Sequence, residues 1–325
     1  MKNSSINRCS QVLNSKLYKT MFQVYSNIIK YTNNFYTEKK FDNTALPLTT
    51  SSISSPMGIG SDSLPVKINL LGQKIYLADS MQFFLEYCLR FNNNPVYYIM
   101  PSFRGESCDS RHLSQFYHSE VEIIGNLHDI MNLAEEYFQY LAISLLKENC
   151  VPHERKSEIK KIIMLDNFPR LNFKDAIKIL KNECNDGIEK KEGILNINSM
   201  GEKYLIKKFN GILWLTHFEH ISVPFYQEYD PKDPNFSLTA DLLVGIGETL
   251  GCGQRVNGYS IQKSLYEHGV NENDYEWYVQ MKKEFPLKTG GFGMGIERFI
   301  AWIFGISDIR EIPYVYRDKE TYYTP

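Results

Sequence analysis

Apolar residues recur at helical spacing through residues 11–36, at Leu13, Leu17, Met21, Val24 and Ile28, and predict one long amphipathic helix. Residues 46–62 are rich in Ser, Thr, Gly and Pro and read as loop. Residues 67–77 have strand character around a turn at Gly72, residues 80–90 return to helical spacing, and 96–100 form a short apolar strand. After a charged stretch, 115–124 alternates as a strand does, and 126–147 is a second long amphipathic helix. The segment at about 150–205 is rich in Lys and Asn and reads as a peripheral helical insertion. Strands at 212–216, 242–246 and 290–294 and a buried helix at 297–304 complete the pattern. Strands that look antiparallel, with long helices and no alternating βαβ units, predict the α+β class: an antiparallel sheet flanked by helices in a single domain over 1–325.

Composition removes several classes. The 325 residues carry 36 Lys and Arg against 38 Asp and Glu, a net charge of -2 that gives no overall field favouring a polyanion. No apolar run reaches the roughly 18 residues that span a bilayer, and residues 1–11 are polar, unlike a signal peptide. A cytoplasmic protein without a membrane partner is expected. The cysteines Cys9, Cys88, Cys108, Cys150, Cys184 and Cys252 are scattered without a C-x-x-C pair and read as reduced thiols.

Three clusters carry candidate chemistry. Phe103, Arg104, Gly105 and Glu106, followed by Arg111, His112 and Phe116, have the layout of a hairpin with a charged loop. An arginine fork suits an α-phosphate, and a phenylalanine offers a face for a base; taken alone, a solvated hairpin explains this cluster better. Asp241 and Glu248 bracket a strand, a common way to hold Mg²⁺ beside phosphates, and a Gly-rich run then leads to Arg255, which can pair with a substrate carboxylate or amide. Gly290, Gly291, Gly293 and Gly295 run into an apolar helix headed by Glu297 and Arg298. With no preceding βαβ unit this is not a dinucleotide site, and an arginine in an apolar helix is costly unless it meets an anion.

In this order, the clusters resemble the second and third signature motifs of class II aminoacyl-tRNA synthetases, closest to the asparaginyl and aspartyl subgroup. Residues 80–86 resemble that family's amino-acid-contacting segment, residues 224–226 its Pro-Phe-Tyr strand, and Pro47 the proline of its dimer-forming first motif. The resemblance implies an AMP-forming ligase that uses ATP and Mg²⁺ to activate a small amino acid. It implies Arg104 on the α-phosphate, Glu106 on adenine or the substrate end, and Arg111, His112 and Arg298 toward the phosphates. Phe116 and Arg298 would enclose adenine, Asp241 and Glu248 would hold Mg²⁺, and Gln82, Tyr226 and Arg255 would orient the amino acid. A homodimer is also implied, with the 21–36 helix contributing.

The chain departs from that pattern at Leu85, where the aspartyl enzymes carry lysine, and at Val223, where the family has Arg or Lys. Asp62 is the sole acid in 55–63, where the family's α-amino-binding glutamate is expected, and the loop between Glu106 and His112 is one residue short. There is no room for an anticodon-binding barrel before the core. The expectation is therefore an asparagine-synthetase-like enzyme that activates aspartate and transfers it to ammonia, with no tRNA partner. An asparaginyl-tRNA ligase, another amide-forming ligase and a non-catalytic regulator are the alternatives.

Overall fold

The structure, a computed structural model, describes residues 5–54 and 63–317. Residues 55–62, with Asp62, lie outside the described residues. The central sheet is built from β1 (Asp42–Asn43), β2 (Val96–Phe103), β3 (Gln115–Ile124), β4 (Arg170–Asn172), β5 (Ile212–Thr216), β6 (Thr239–Val244), β7 (Gly247–Gln254) and β8 (Thr289–Gly295). Their spatial order is β1-β2-β3-β8-β7-β6-β5-β4. Only the outermost pairs, β1 with β2 and β4 with β5, run parallel. The remaining pairs are antiparallel, as the α+β reading expects.

Five helices matter for the site: α1 (Lys16–Glu38), α2 (Gln82–Leu89), α3 (Leu127–Lys147), α4 (Ser199–Lys208) and α5 (Ile296–Phe304). The single helix predicted over 11–36 is broken at Ser15, whose hydroxyl accepts the Tyr18 N–H and starts α1 afresh after a separate helix, Ser5–Asn14. Asn126 and Asp129 form a reciprocal capping box at the start of α3.

Helices α1, α3 and α5 cover one face of the sheet. Val121, Ile123, Leu242, Val244, Leu250, Cys252, Phe292 and Met294 meet Met21, Val24, Ile28, Phe138 and Trp302 in one buried cluster. Burying each large side chain contributes about 1.5–3 kcal/mol. The apolar stripe of α1 that the sequence offered to a dimer interface is thus used inside the chain: Met21, Val24, Ile28 and Tyr36 are fully buried.

The 150–205 segment is not peripheral throughout. β4 extends the main sheet beside β5, and Phe173, Ile177, Leu180 and Leu205 pack against Leu213, Leu215 and Leu243 of that sheet. This anchoring carries α4 to the rim of the uncovered face.

The β6–β7 hairpin fixes which residues that face displays. Its turn pairs Val244 with Gly247 and Leu243 with Glu248, so Glu248 shares a face with Asp241. A bulge then shifts the register by one, pairing Leu242 with Leu250 and Asp241 with Gly251. Gly251 and Gly253, rather than Leu250 and Cys252, therefore lie on the Asp241 face.

Candidate active site

The uncovered face has a bare floor. Gly251 pairs with Gly293 and Gly253 with Gly291 across β7 and β8, so four adjacent positions lack side chains. Neighbouring groups overhang them. A Cβ at Gly251 would lie 2.8 Å from Glu248 Oε1 and 3.4 Å from Asp241 Oδ1, and one at Gly293 would lie 3.2 Å from Glu120 Oε1. A Cβ at Gly253 would collide with the Gln227 amide, and one at Gly291 with Glu122 and the Val121 carbonyl. Above the floor is a cavity of about 420 Å³ lined by Asp79, Gln82, Glu120, Tyr226, Asp241 and Arg255. A second pocket, lined by Arg111, His112, Phe116 and Arg298, adjoins it. Arg104, His118, Glu248 and Gly293 line both.

The outer pocket is cationic. The Arg104 guanidinium lies 5.4 Å from the Phe116 ring centroid, and its Nε is buried with no partner among the described residues. Arg298 donates to the Glu248 carbonyl, lies 3.4 Å from the Arg111 carbonyl, and has the Glu248 carboxylate at 3.8 Å. Burial holds the Arg298 guanidinium below its usual value, Arg104 and Arg111 adding to the effect and Glu248 opposing it. Such a group gains from an anion. Arg111 is paired with Glu202 of α4. His112 turns its Nδ1 to Asp109 at 3.1 Å. Glu106 accepts the Leu64 N–H at 2.9 Å and lines neither pocket.

Asp241 and Glu248 face one another over Gly251, as their shared approach to a Cβ there shows. Burial first, then the charges of Glu248 and Glu202, hold the Asp241 carboxyl well above the usual carboxylate range. That concentration of negative charge suits a divalent cation. Among the described residues no group of three or more His, Cys, Asp or Glu is arranged to hold a metal, so phosphate oxygens would have to complete the shell.

Arg255 corrects an expectation. It is not a free cation waiting for a carboxylate: Nε and Nη2 donate to Glu122 at 3.1 and 2.8 Å, and both side chains are buried. Its Nη1 reaches Gln227 Oε1 at 3.4 Å on the cavity wall. Behind it, Glu86 binds Lys282 at 2.6 Å and the Thr289 hydroxyl at 3.1 Å, all out of solvent. Gln82 lines the cavity with a buried Nε2 that has no partner among the described residues. Tyr226 packs beside Arg255, its ring centroid 5.8 Å from the guanidinium, and donates its hydroxyl to the Ser54 carbonyl at 3.0 Å. Leu85 is wholly buried among Ala78, Met81, Leu89 and Tyr98 and turns no charge to the cavity.

Sequence reasoning missed Asp79, His118, Glu120, Glu122 and Glu202. Three of them were within reach, because His118, Glu120 and Glu122 alternate with Phe116 along β3 and so share its face, opposite Gly295, Gly293 and Gly291. Burial opposes charge on Glu120, yet hydrogen bonds from His118, Tyr98 and Ser80 outweigh it and hold the carboxyl below its usual range. Burial pushes Asp79 up to about 6 against the pull of Arg104 and the Ser54 hydroxyl. Nothing local in the sequence marks Glu202, which reaches the site through the packing of its whole segment.

Comparison with known proteins agrees with this geometry. Residues 4–316 match the family model for class II tRNA synthetases (D, K and N). The chain is 29% identical to the asparagine–tRNA ligase of Thermoplasma acidophilum, over 93% of this chain and 70% of that protein. It is 34% identical to the asparagine–tRNA ligase of Thermococcus gammatolerans, over 75% of this chain and 57% of that protein. The crystal structure of asparaginyl-tRNA synthetase from Pyrococcus horikoshii complexed with asparaginyl-adenylate superposes with a TM-score of 0.84 at 25% identity, covering 96% of this chain and 71% of that one. With the family's fold over nearly its whole length and its motifs gathered on one glycine floor, the chain belongs to the class II tRNA synthetases of the D, K and N group, a family of ATP-dependent ligases.

Proposed function

We propose that this protein activates asparagine as an adenylate and transfers the asparaginyl group to tRNA. The observation that carries the choice of amino acid is the Glu122–Arg255 pair. With the guanidinium charge already balanced, Arg255 offers the cavity a hydrogen-bond donor and no net charge. That suits the carbonyl of a neutral carboxamide. An aspartate side chain would bring a second carboxylate beside Glu120 and Asp79, and neither Leu85 nor Val223 supplies a cation to meet it. This is why the expectation of an aspartate-activating, ammonia-using enzyme is given up; the relatives named above, all asparagine–tRNA ligases or synthetases, support the same change.

In the reading proposed, Arg104, Phe116 and Arg298 bind the nucleotide, with Arg111 and His112 toward its phosphates. Gln82 and Tyr226 line the amino-acid cavity, and Asp79 and Glu120 offer negative charge to the ammonium group. Asp241 and Glu248 would hold Mg²⁺, which when bound offsets phosphate charge. The α-carboxylate oxygen attacks the α-phosphate and pyrophosphate leaves, helped chiefly by positioning and by fixed positive charge. A homodimer fits the outer side of α1, where Leu17, Phe22 and Ile29 are exposed.

ATP–pyrophosphate exchange with each amino acid, followed by charging of tRNA, tests the reading. Asparagine should support exchange and aspartate should be rejected by about 10⁴-fold, the scale expected when a wrong ligand leaves buried polar groups unmatched. Equal or better exchange with aspartate, with asparagine formed on addition of ammonia, would overturn it.

A further inference from the structure

The adenylation chemistry leaves one polar side chain on the cavity face of β3 without a task. His118 lies where the nucleotide pocket meets the amino-acid cavity and lines both. Its Nδ1 is 3.1 Å from the Glu120 carboxylate and 2.9 Å from the Ser102 hydroxyl. The Phe116 ring stands at right angles to the imidazole, 4.8 Å between centroids, and limits its rotation. A carboxylate only accepts, so the proton of the neutral ring belongs on Nδ1 and the lone pair on Nε2. Among the described residues Nε2 has no protein partner. A carboxylate fixing the tautomer of an imidazole whose second nitrogen faces a reaction cavity is the arrangement of a general base.

Resting on the function proposed above, we propose that the Glu120–His118 dyad is the general base of the transfer step. Nε2 takes the proton of the acceptor's ribose hydroxyl as that oxygen attacks the carbonyl carbon of the adenylate. The ester C–O bond forms and the acyl C–O bond to phosphate breaks. AMP leaves with that electron pair, and the proton remains on the imidazolium, opposite Glu120. His118 stands beside the floor, level with Gly295, between the arginines that face the phosphate and the cavity that holds the amino acid. Glu120 on its own strand, Asp79 before α2, Glu297 on α5 and Arg104 after β2 are the charged groups around it.

The test separates the two half-reactions in the full chain. Pyrophosphate exchange reads adenylation; single-turnover transfer from preformed asparaginyl adenylate to tRNA reads the second step. In His118→Ala and His118→Gln, transfer should fall by about 10²- to 10⁴-fold, and exchange by less than about ten-fold. Transfer by the wild type should slow at low pH, and that slowing should flatten in both variants although Asp79, Glu120 and Glu297 remain. Added imidazole should restore transfer to His118→Ala. Equal losses in both steps, transfer within about three-fold of wild type, or transfer that imidazole leaves unrestored while exchange persists would each overturn the dyad. Absence of asparagine-dependent exchange in the wild type would instead overturn the functional reading itself. His118→Gln, with a similar volume and a hydrogen bond for Glu120, guards against a mere folding defect.

Discussion

Gly293→Ala separates the fold from the function of the floor. Gly293 is the middle of the three β8 glycines that share the cavity face, paired with Gly251 on one side and Glu120 on the other. The three atoms nearest a methyl group there all belong to the Glu120 side chain, at 3.2, 3.4 and 3.6 Å for Oε1, Cγ and Cδ, so a shift of a few tenths of an ångström by that side chain relieves them. Glycine in a strand interior costs about 0.5–1 kcal/mol relative to alanine. The variant should therefore unfold in urea at the wild-type midpoint or slightly above. The same methyl rises about 1.5 Å, one carbon–carbon bond, from the surface on which the reactants would lie. A displacement of about 1 Å can cost about 10²-fold in rate, equivalent to about 2.7 kcal/mol of barrier. ATP–pyrophosphate exchange should accordingly drop by about 10²-fold in a protein that is as stable as before. Gly291→Ala is the contrast: its methyl collides with the Val121 carbonyl, which is backbone, and the variant should lose stability as well as activity. If Gly293→Ala exchanges within about three-fold of wild type, reactants do not lie on this floor.

Three other outcomes follow from the buried charges. Asp241→Asn should abolish exchange while making the ligand-free protein more stable, most clearly at high pH, because it removes the cost of burying a charge, and then its repulsion from Glu248 and Glu202, both of which grow as Asp241 ionises; a loss of stability at high pH would refute this. Lys282→Met removes the nearest cation from the buried Glu86 carboxylate and leaves only Arg90 at 3.9 Å and two hydroxyls, so the urea midpoint should fall by the equivalent of up to about 3–5 kcal/mol, and adding Glu86→Leu should recover most of it; a cost under about 1 kcal/mol would refute the pair's role. Burial pushes Glu297 up to about 7, above its ordinary 4.5. Its contribution is full below that ordinary value and is lost as pH rises through about 7, so the wild type should lose more melting temperature between pH 5 and 8 than Glu297→Gln does.

The fold was largely legible because its longest elements are strongly periodic: β3 was read at 115–124, as observed, and α3 at 126–147, one residue early because Asn126 is its cap. The break at Ser15 was not, since apolar spacing runs on through a hydroxyl that caps locally. The candidate site was legible where a residue type announces its chemistry, as Arg104 and Arg298 do beside Phe116. It was misread where the partner lies far away in sequence. Arg255 looked like an open cation because Glu122 stands 133 residues earlier, and only the pairing of β7, β8 and β3 brings them together. Glu202 was assigned to an outlying insertion because Lys and Asn content reports solvent exposure on average, and says nothing of one carboxylate carried inward on α4.

The bulge in β7 makes residue number matter more than residue identity. Which side of the sheet a position occupies is a matter of parity, counted from the Val244–Gly247 turn, and the extra residue sets that parity for the rest of the strand. Deleting one residue at the bulge would leave every side chain from Leu250 onward chemically unchanged and turn it over. Leu250 and Cys252 would rise into the cavity, and Gly251 and Gly253 would fall into the core as voids. The hairpin thus tolerates almost no change of length, and the position where an insertion or deletion turns the strand over bears no catalytic group at all.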